Sequence, residues 1–226
     1  MAWFAVRSRR RLTSGSVAAV LPRSAWAAWL RGTVGASALS ILVSMAWADQ
    51  EASNVPHVTA SDAGRCYAKS IPADLYGGEG TTTVYRVESG PDVRLHTFEW
   101  FTQQLYIECN VAPADGAVGV SVVRFGAWAR GREARSDELA IAFYFDGRLR
   151  KRYSTLDIAG TPENVSTSVS HYTVFEAVDA YRSTGAGNRF EFVVQTTDGR
   201  TLHFDPATGE RLPPSHRKSR PPRNRG

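Results

Sequence analysis

Leu139-Ala-Ile-Ala-Phe-Tyr-Phe-Asp-Gly-Arg-Leu-Arg-Lys-Arg-Tyr153 decides how the rest of the chain is read. An apolar run enters Asp146-Gly147 and a mixed run leaves it. Asp-Gly supplies the positive φ angles of a tight turn between antiparallel strands, so the stretch predicts a β-hairpin. Residues Phe190 to Phe204 repeat the pattern about Asp198-Gly199, with Phe190, Phe192 and Val194 alternating before the turn and Leu202 and Phe204 after it. The two Asp-Gly-Arg turns hint at a repeated hairpin unit, but their flanks match only by residue type, which favours unrelated hairpins.

Working outward, strand signals dominate. Thr81 to Glu88 is β-branched and aromatic between glycine-rich turns, a second strand starts at Val93, and apolar residues recur over Leu95 to Trp100, Leu105 to Cys109 and Val118 to Phe125. Thr102-Gln103-Gln104 reads as a break. Helical signals are few: Ser154-Thr155-Leu156-Asp157 has the form of a capping box before Gly160, and Val174 to Arg182 suits a helix or a strand. The expected fold is mainly β, a single antiparallel β-sandwich or open-barrel domain with one or two short helices.

The chain has 226 residues, 42% hydrophobic and 22% charged, which is a globular mix. Its net charge of +5 lies at the ends. Residues 1–48 carry six arginines and no acid, residues 213–226 carry Arg217, Lys218, Arg220, Arg223 and Arg225 and no acid, and the stretch between has 16 basic residues against 22 acidic ones. An acidic body repels phosphate backbones, so nucleic acid is not the expected partner of the folded part. The Arg-rich start, the uncharged run from Gly32 and the small residues of Ala46-Trp47-Ala48 read as a signal peptide over 1–48, with cleavage before Asp49. Ser8-Arg9-Arg10-Arg11-Leu12 resembles a twin-arginine signal, and the choice between that route and the general one stays open. The expected location is exported, in a bacterial periplasm or secreted. Residues 49–60 read as a flexible lead-in, 61–212 as the β-rich domain and 213–226 as a disordered basic tail able to touch an anionic membrane surface weakly.

Cys66 and Cys109 both lie in the exported part and read as one disulfide, joining the ends of adjacent antiparallel strands. No dinucleotide or phosphate-loop template occurs, and His96, His171 and His203 are scattered without metal-ligand spacing, so neither cofactor nor metal is expected. The residues with some chemical promise are His171 with Ser170 and Asp157, beside Ser166 and Ser168. A hydroxyl becomes a nucleophile only next to an oriented imidazole, and on a strand Ser170 and His171 point to opposite faces. Acid pairs such as Asp137-Glu138, or Glu99 with Glu108, are expected by chance among so many carboxylates. Trp100-Phe101 and Trp128 suit a core or an aromatic platform. The loop from Arg124 through Trp128 and Arg130 to Arg132 mixes aromatics, glycines and cations, and is the candidate ligand-binding segment. Taken together, the residues favour a non-catalytic binding or scaffold protein with an envelope protein or carbohydrate as partner. The alternative is an envelope hydrolase using His171 with a serine or acid from another strand.

Phe204-Asp205-Pro206-Ala207-Thr208-Gly209-Glu210 resembles the blade-closing Phe-Asp-x-x-Thr-Gly of quinoprotein-type β-propellers. The resemblance covers this segment alone. A propeller needs at least four blades of four strands, more than the 178 residues after position 48 supply, so no family and no quinone site follow from it.

Overall fold

The structure is a computed structural model that describes residues 51–113, 116–185 and 187–213. The leader reading at 1–48 and all but the first residue of the tail at 213–226 lie outside the described residues. In chain order the strands are β1 (His57–Ala60), β2 (Cys66–Pro72), β3 (Gly80–Arg86), β4 (Val93–Phe98), β5 (Leu105–Val111), β6 (Gly119–Phe125), β7 (Ala129–Arg130), β8 (Leu139–Phe145) and β9 (Arg148–Ser154). A short helix α1 (Thr155–Ala159) follows, then β10 (Ser166–Thr167), β11 (His171–Thr173), β12 (Phe175–Ser183), β13 (Phe190–Thr196), β14 (Thr201–Phe204) and β15 (Arg211–Leu212). They form three four-stranded antiparallel sheets, ordered β1-β2-β3-β4, β5-β6-β8-β9 and β12-β13-β14-β15, and a small sheet β10-β11-β7. Among the described residues the protein is mainly β, with one short helix and no closed barrel.

The three larger sheets are layered, with the second in the middle. Cys66, Ala68, Val84 and Phe98 of the first sheet pack with Trp100 on Leu105, Ile107, Cys109 and Val122 of the central sheet. On the opposite face, Val123, Phe125, Ile141, Phe143 and Tyr153 pack on Phe192, Val194 and Phe204 of the third sheet. Successive side chains of a strand point to opposite faces, so Val122 and Val123 enter different cores. A sheet covered on both sides needs apolar residues in both phases, and this is why Ala140 to Phe143 are all buried where a one-sided strand would alternate. The Phe143 ring lies 5.9 Å from Phe192 and 5.0 Å from Phe204, an aromatic seam in which each pair contributes about 0.5–1.5 kcal/mol beyond its buried area.

Local chemistry sets the turns. Asp146 and Gly147 both have positive φ, 47° and 73°, as a two-residue turn between β8 and β9 requires. At the second Asp-Gly only Gly199 is left-handed, at 83°, and Thr196 N donates to Arg200 O. That turn is a three-residue loop, and the two hairpins lie in different sheets. Ser154 and Asp157 form the expected capping box, and Gly160 stops α1 after five residues. Val174 to Arg182 runs mostly as strand β12.

Two expectations are corrected. The flexible lead-in at 49–60 gives way, in its described part, to an anchored segment: His57–Ala60 pair with β2 and Asn54 is buried. The Asn54 amide donates to Asp74 O at 3.1 Å and Gly77 O at 3.0 Å, replacing with hydrogen bonds the periodicity that the stretch lacks. The Cys66–Cys109 disulfide is present, with Cα atoms 6.2 Å apart, but it does not join adjacent strands of one sheet. It ties β2 to β5 across the first core, because β3 and β4 complete the first sheet before the chain crosses to the second.

The propeller-like segment is a turn docked on the central sheet. Asp205 Oδ1 accepts from Ala207 N at 2.8 Å and Thr208 N at 3.2 Å, Tyr153 Oη donates to Gly209 O, and Ser121 Oγ donates to Pro206 O, both at 2.9 Å. A side chain at Gly209 would put its Cβ 2.5 Å from Lys151 Cβ, so only glycine fits there.

Candidate functional site

A cleft of about 330 Å³ opens where the crossing from β4 to β5, the exit of β6 and the small sheet meet. Glycine at position 126 makes the exit possible. Its N–H donates to Ala140 O at 3.0 Å, and a Cβ on it would lie 1.7 Å from Leu139 O, so the backbone is pressed onto β8 as it leaves the sheet. The next residues, Ala127 and Trp128, form one wall of the cleft. The crossing is fixed by Thr102, whose hydroxyl donates to Phe125 O at 2.9 Å. Phe125, Ala140, Val174 and Phe175 give an apolar floor, and Glu51, Asn54, Gln103 and Gln104 bring polar groups to its lining.

His171 and Trp128 meet in this cleft, with ring centroids 3.9 Å apart and planes inclined at 45°. β11 places His171 opposite Arg130 of β7, and Arg130 Nη2 in turn reaches Glu51 Oε2 at 2.9 Å. The hydroxyl that His171 meets belongs to Ser168, across the turn from β10 to β11. Ser168 Oγ is 2.5 Å from Nδ1 and 3.4 Å from Nε2, and Ser168 N donates to His171 O at 2.8 Å. The pair is thus a feature of one tight turn. It holds the imidazole edge on to the loop, while the ring lines the cleft and Ser168 does not.

Beneath His171, the buried Tyr172 donates to Glu138 Oε2 and shares a 2.8 Å hydrogen bond with Thr155 Oγ1. Thr155 Oγ1 also accepts from Arg135 N at 2.8 Å, and its single proton goes to Tyr172 Oη, with Arg135 O at 2.9 Å as the alternative acceptor. Burial, followed by the bond to Glu138, pushes the Tyr172 phenol up to about 12, so it stays a neutral donor. This network locks the back of the cleft to α1 and to the segment from Arg135 to Glu138 that leads into β8.

The other sequence candidates fall elsewhere. The Asp157 carboxylate accepts from Ser154 N and Ser154 Oγ, both at 2.8 Å, and these bonds hold its pKa below the ordinary value; it serves the helix cap. Ser170 is exposed, and its carbonyl accepts from Gly131 N at 3.2 Å. Arg124 does not join Trp128: it points into the first core, its guanidinium 4.8 Å from the Trp100 ring centre. Arg132 is exposed on the turn after β7. Of the four candidate residues on that loop, Arg124, Trp128, Arg130 and Arg132, the cleft therefore takes Trp128 directly and Arg130 through Glu51. His96 lies against Gly147, and His203 Nδ1 pairs with Glu191 at 2.9 Å on the third sheet. Among the described residues no group of three or more His, Cys, Asp or Glu is placed to hold a metal ion, and no helix is long and apolar enough to cross a membrane.

Sequence reasoning missed Glu51, Asn54, Gln103 and Tyr172, which come from segments with no pattern of their own. Asn54 and Gln103 are bonded to each other at 3.0 Å, with both amide nitrogens committed to backbone or to this pair. Compared with family models, with curated proteins and with solved structures, the chain matches none of them.

Proposed function

We propose that this is an exported, non-catalytic binding protein whose ligand is a carbohydrate seated in the Trp128 cleft. The observation that carries the reading is the pairing of a half-buried indole with polar groups whose donors are mostly used. Asn54 and Gln103 use both amide N–H groups within the protein and Gln104 uses one, while Asn54 Oδ1 accepts from Gln103, so what Gln103 and Gln104 offer a ligand is mainly acceptor oxygen. A saccharide supplies hydroxyl donors along one edge and an apolar ring face to lie against Trp128. The cleft volume is at the small end of the roughly 300–1,000 Å³ usual for ligand sites, which suits one terminal sugar unit better than a long chain. The disulfide is compatible with an oxidising compartment and supports the export part of the reading.

A hydrolase built on the Ser168–His171 pair would use Ser168 as nucleophile, and the geometry of that pair does not favour it. A general base works within about 2.6–3.2 Å of the proton it takes, through a nitrogen facing the substrate. Here the hydroxyl is held at Nδ1 on the turn side of the ring, outside the cleft lining. The test is titration of the protein with neutral and acetylated mono- and disaccharides, followed by ligand-observed NMR. Trp128→Ala should abolish the signal while Ser168→Ala leaves it. Absence of binding across that panel overturns the carbohydrate reading, and ester turnover that disappears in Ser168→Ala replaces it with the hydrolase.

A further inference from the structure

β9 is an outer strand of the central sheet, and its Arg148-Leu149-Arg150-Lys151-Arg152 puts four cations into five positions of a body that is otherwise acidic. Arg148, Arg150 and Arg152 are exposed and make no ion pair among the described residues, whereas Lys151 is bonded to Glu210 at 2.9 Å. The acids around the strand are committed to structural bonds. Asp146 accepts from Val120 N at 2.9 Å, Asp157 caps α1, and Asp205 closes its own turn. Leu149, between two of the arginines, is 50% exposed. Charges on an outer strand prevent edge-to-edge pairing, but an apolar side chain left in water has no part in that protection.

The C-terminal end of the fold lies on the same edge. Glu210 reaches Lys151, Gly209 O accepts from Tyr153, and the Arg211 guanidinium lies 5.1 Å from the Tyr153 ring centre while donating to Asp157 O at 2.6 Å. Residues 213–226, with five further cations and no acid, follow directly from β15. We propose that the β9 edge is a docking surface for an anionic lipid surface, with Arg148, Arg150 and Arg152 supplying its charge and Leu149 at its centre. A planar bilayer meets only this edge and offers Leu149 an apolar phase. A nucleic acid offers no such phase and would also face the acidic remainder of the body.

The test uses the full chain in flotation assays with phosphatidylcholine vesicles, with and without phosphatidylglycerol. The chain should partition only onto the anionic vesicles at ~0.05 M salt and release near ~1 M, where the screening length falls to about 3 Å. Each cation near such a surface is worth about fivefold in partitioning, so Arg148→Gln alone should weaken it about fivefold and the triple Arg148→Gln, Arg150→Gln, Arg152→Gln variant roughly 100-fold. Leu149→Ser should lower what remains bound at intermediate salt. The single variant serves if the triple one fails to fold. The proposal is overturned if these variants bind like the unmutated chain, if neutral vesicles bind equally well, if the triple variant merely self-associates, or if duplex DNA displaces the vesicles at matched charge.

Discussion

Opening the Cys66–Cys109 bridge should cost the fold about 4 kcal/mol. The bond closes a loop with a sequence separation of 43 residues, and chain-entropy scaling gives about 3 kcal/mol for a 15-residue loop and about 4.7 for a 100-residue one. For a domain of this size each kcal/mol moves Tm by about 2–4 °C, so reduction should lower it by roughly 8–16 °C. The native side of the balance adds little to that figure, since both sulfurs stay buried after reduction and the surrounding Ala68, Val84, Leu105 and Ile107 still fill the first core. Replacing both cysteines by alanine removes the sulfurs as well, so Cys66→Ala with Cys109→Ala should melt below the reduced chain by the further cost of two small cavities. The assay is thermal denaturation followed by circular dichroism with and without reductant, with thiol counting to show none before reduction and two after. A fall of less than ~2 °C on verified reduction would refute the view that the link restrains the unfolded chain. A variant that melts at the same temperature as the reduced chain would refute the packing part alone.

Two further outcomes follow from single positions. Gly126→Ala drives a methyl into the Leu139 carbonyl, so it should destabilise by about 1–3 kcal/mol and shift the Trp128 fluorescence, because relief requires the β6 exit to move off β8. Burial raises the Glu108 carboxyl above its ordinary value of 4.5, partly offset by the bond it accepts from Cys109 N. Stability from this group is therefore full below pH ~4.5 and lost as pH rises through the raised value. Glu108→Gln, which keeps the acceptor, should melt higher than the unmutated chain at pH ~7 and level with it at pH ~4; equal melting at both would show that the carboxylate is not penalised.

What the sequence disclosed about this fold was its local grammar. Asp146-Gly147 and the capping box at Ser154 and Asp157 each depend on neighbours within a few residues, and each appears in the structure; Phe192 and Val194 share the second core as their spacing implies, but Val193 between them is buried as well. The layering was also present, as the unbroken run from Leu139 to Phe145, since only a sheet covered on both faces tolerates apolar residues in both phases. Read alone, that run is ambiguous with any short buried strand. Which core each cysteine entered could not be read, because it depends on whether β3 and β4 finish the first sheet before the chain crosses.

The candidate site was harder to read for a different physical reason. Trp128 and His171 stood out as residue types, but their meeting is made by Gly126, which leaves β6 against β8, and by a turn that brings Ser168 to the imidazole in place of the adjacent Ser170. On the opposite rim Asn54 and Gln103 hold each other across 49 positions of sequence, and neither carries a pattern that distinguishes a lining residue from a solvated one. Arg124 shows the converse. In sequence it belongs to the same loop as Trp128, yet the period-two geometry of β6 sends it, with Val122, to the face that meets the first sheet, where the Trp100 ring receives its charge. Strand phase thus divided a loop that composition presented as one unit, and one of its three candidate cations, Arg124, was turned away from Trp128 and onto Trp100 of the first core.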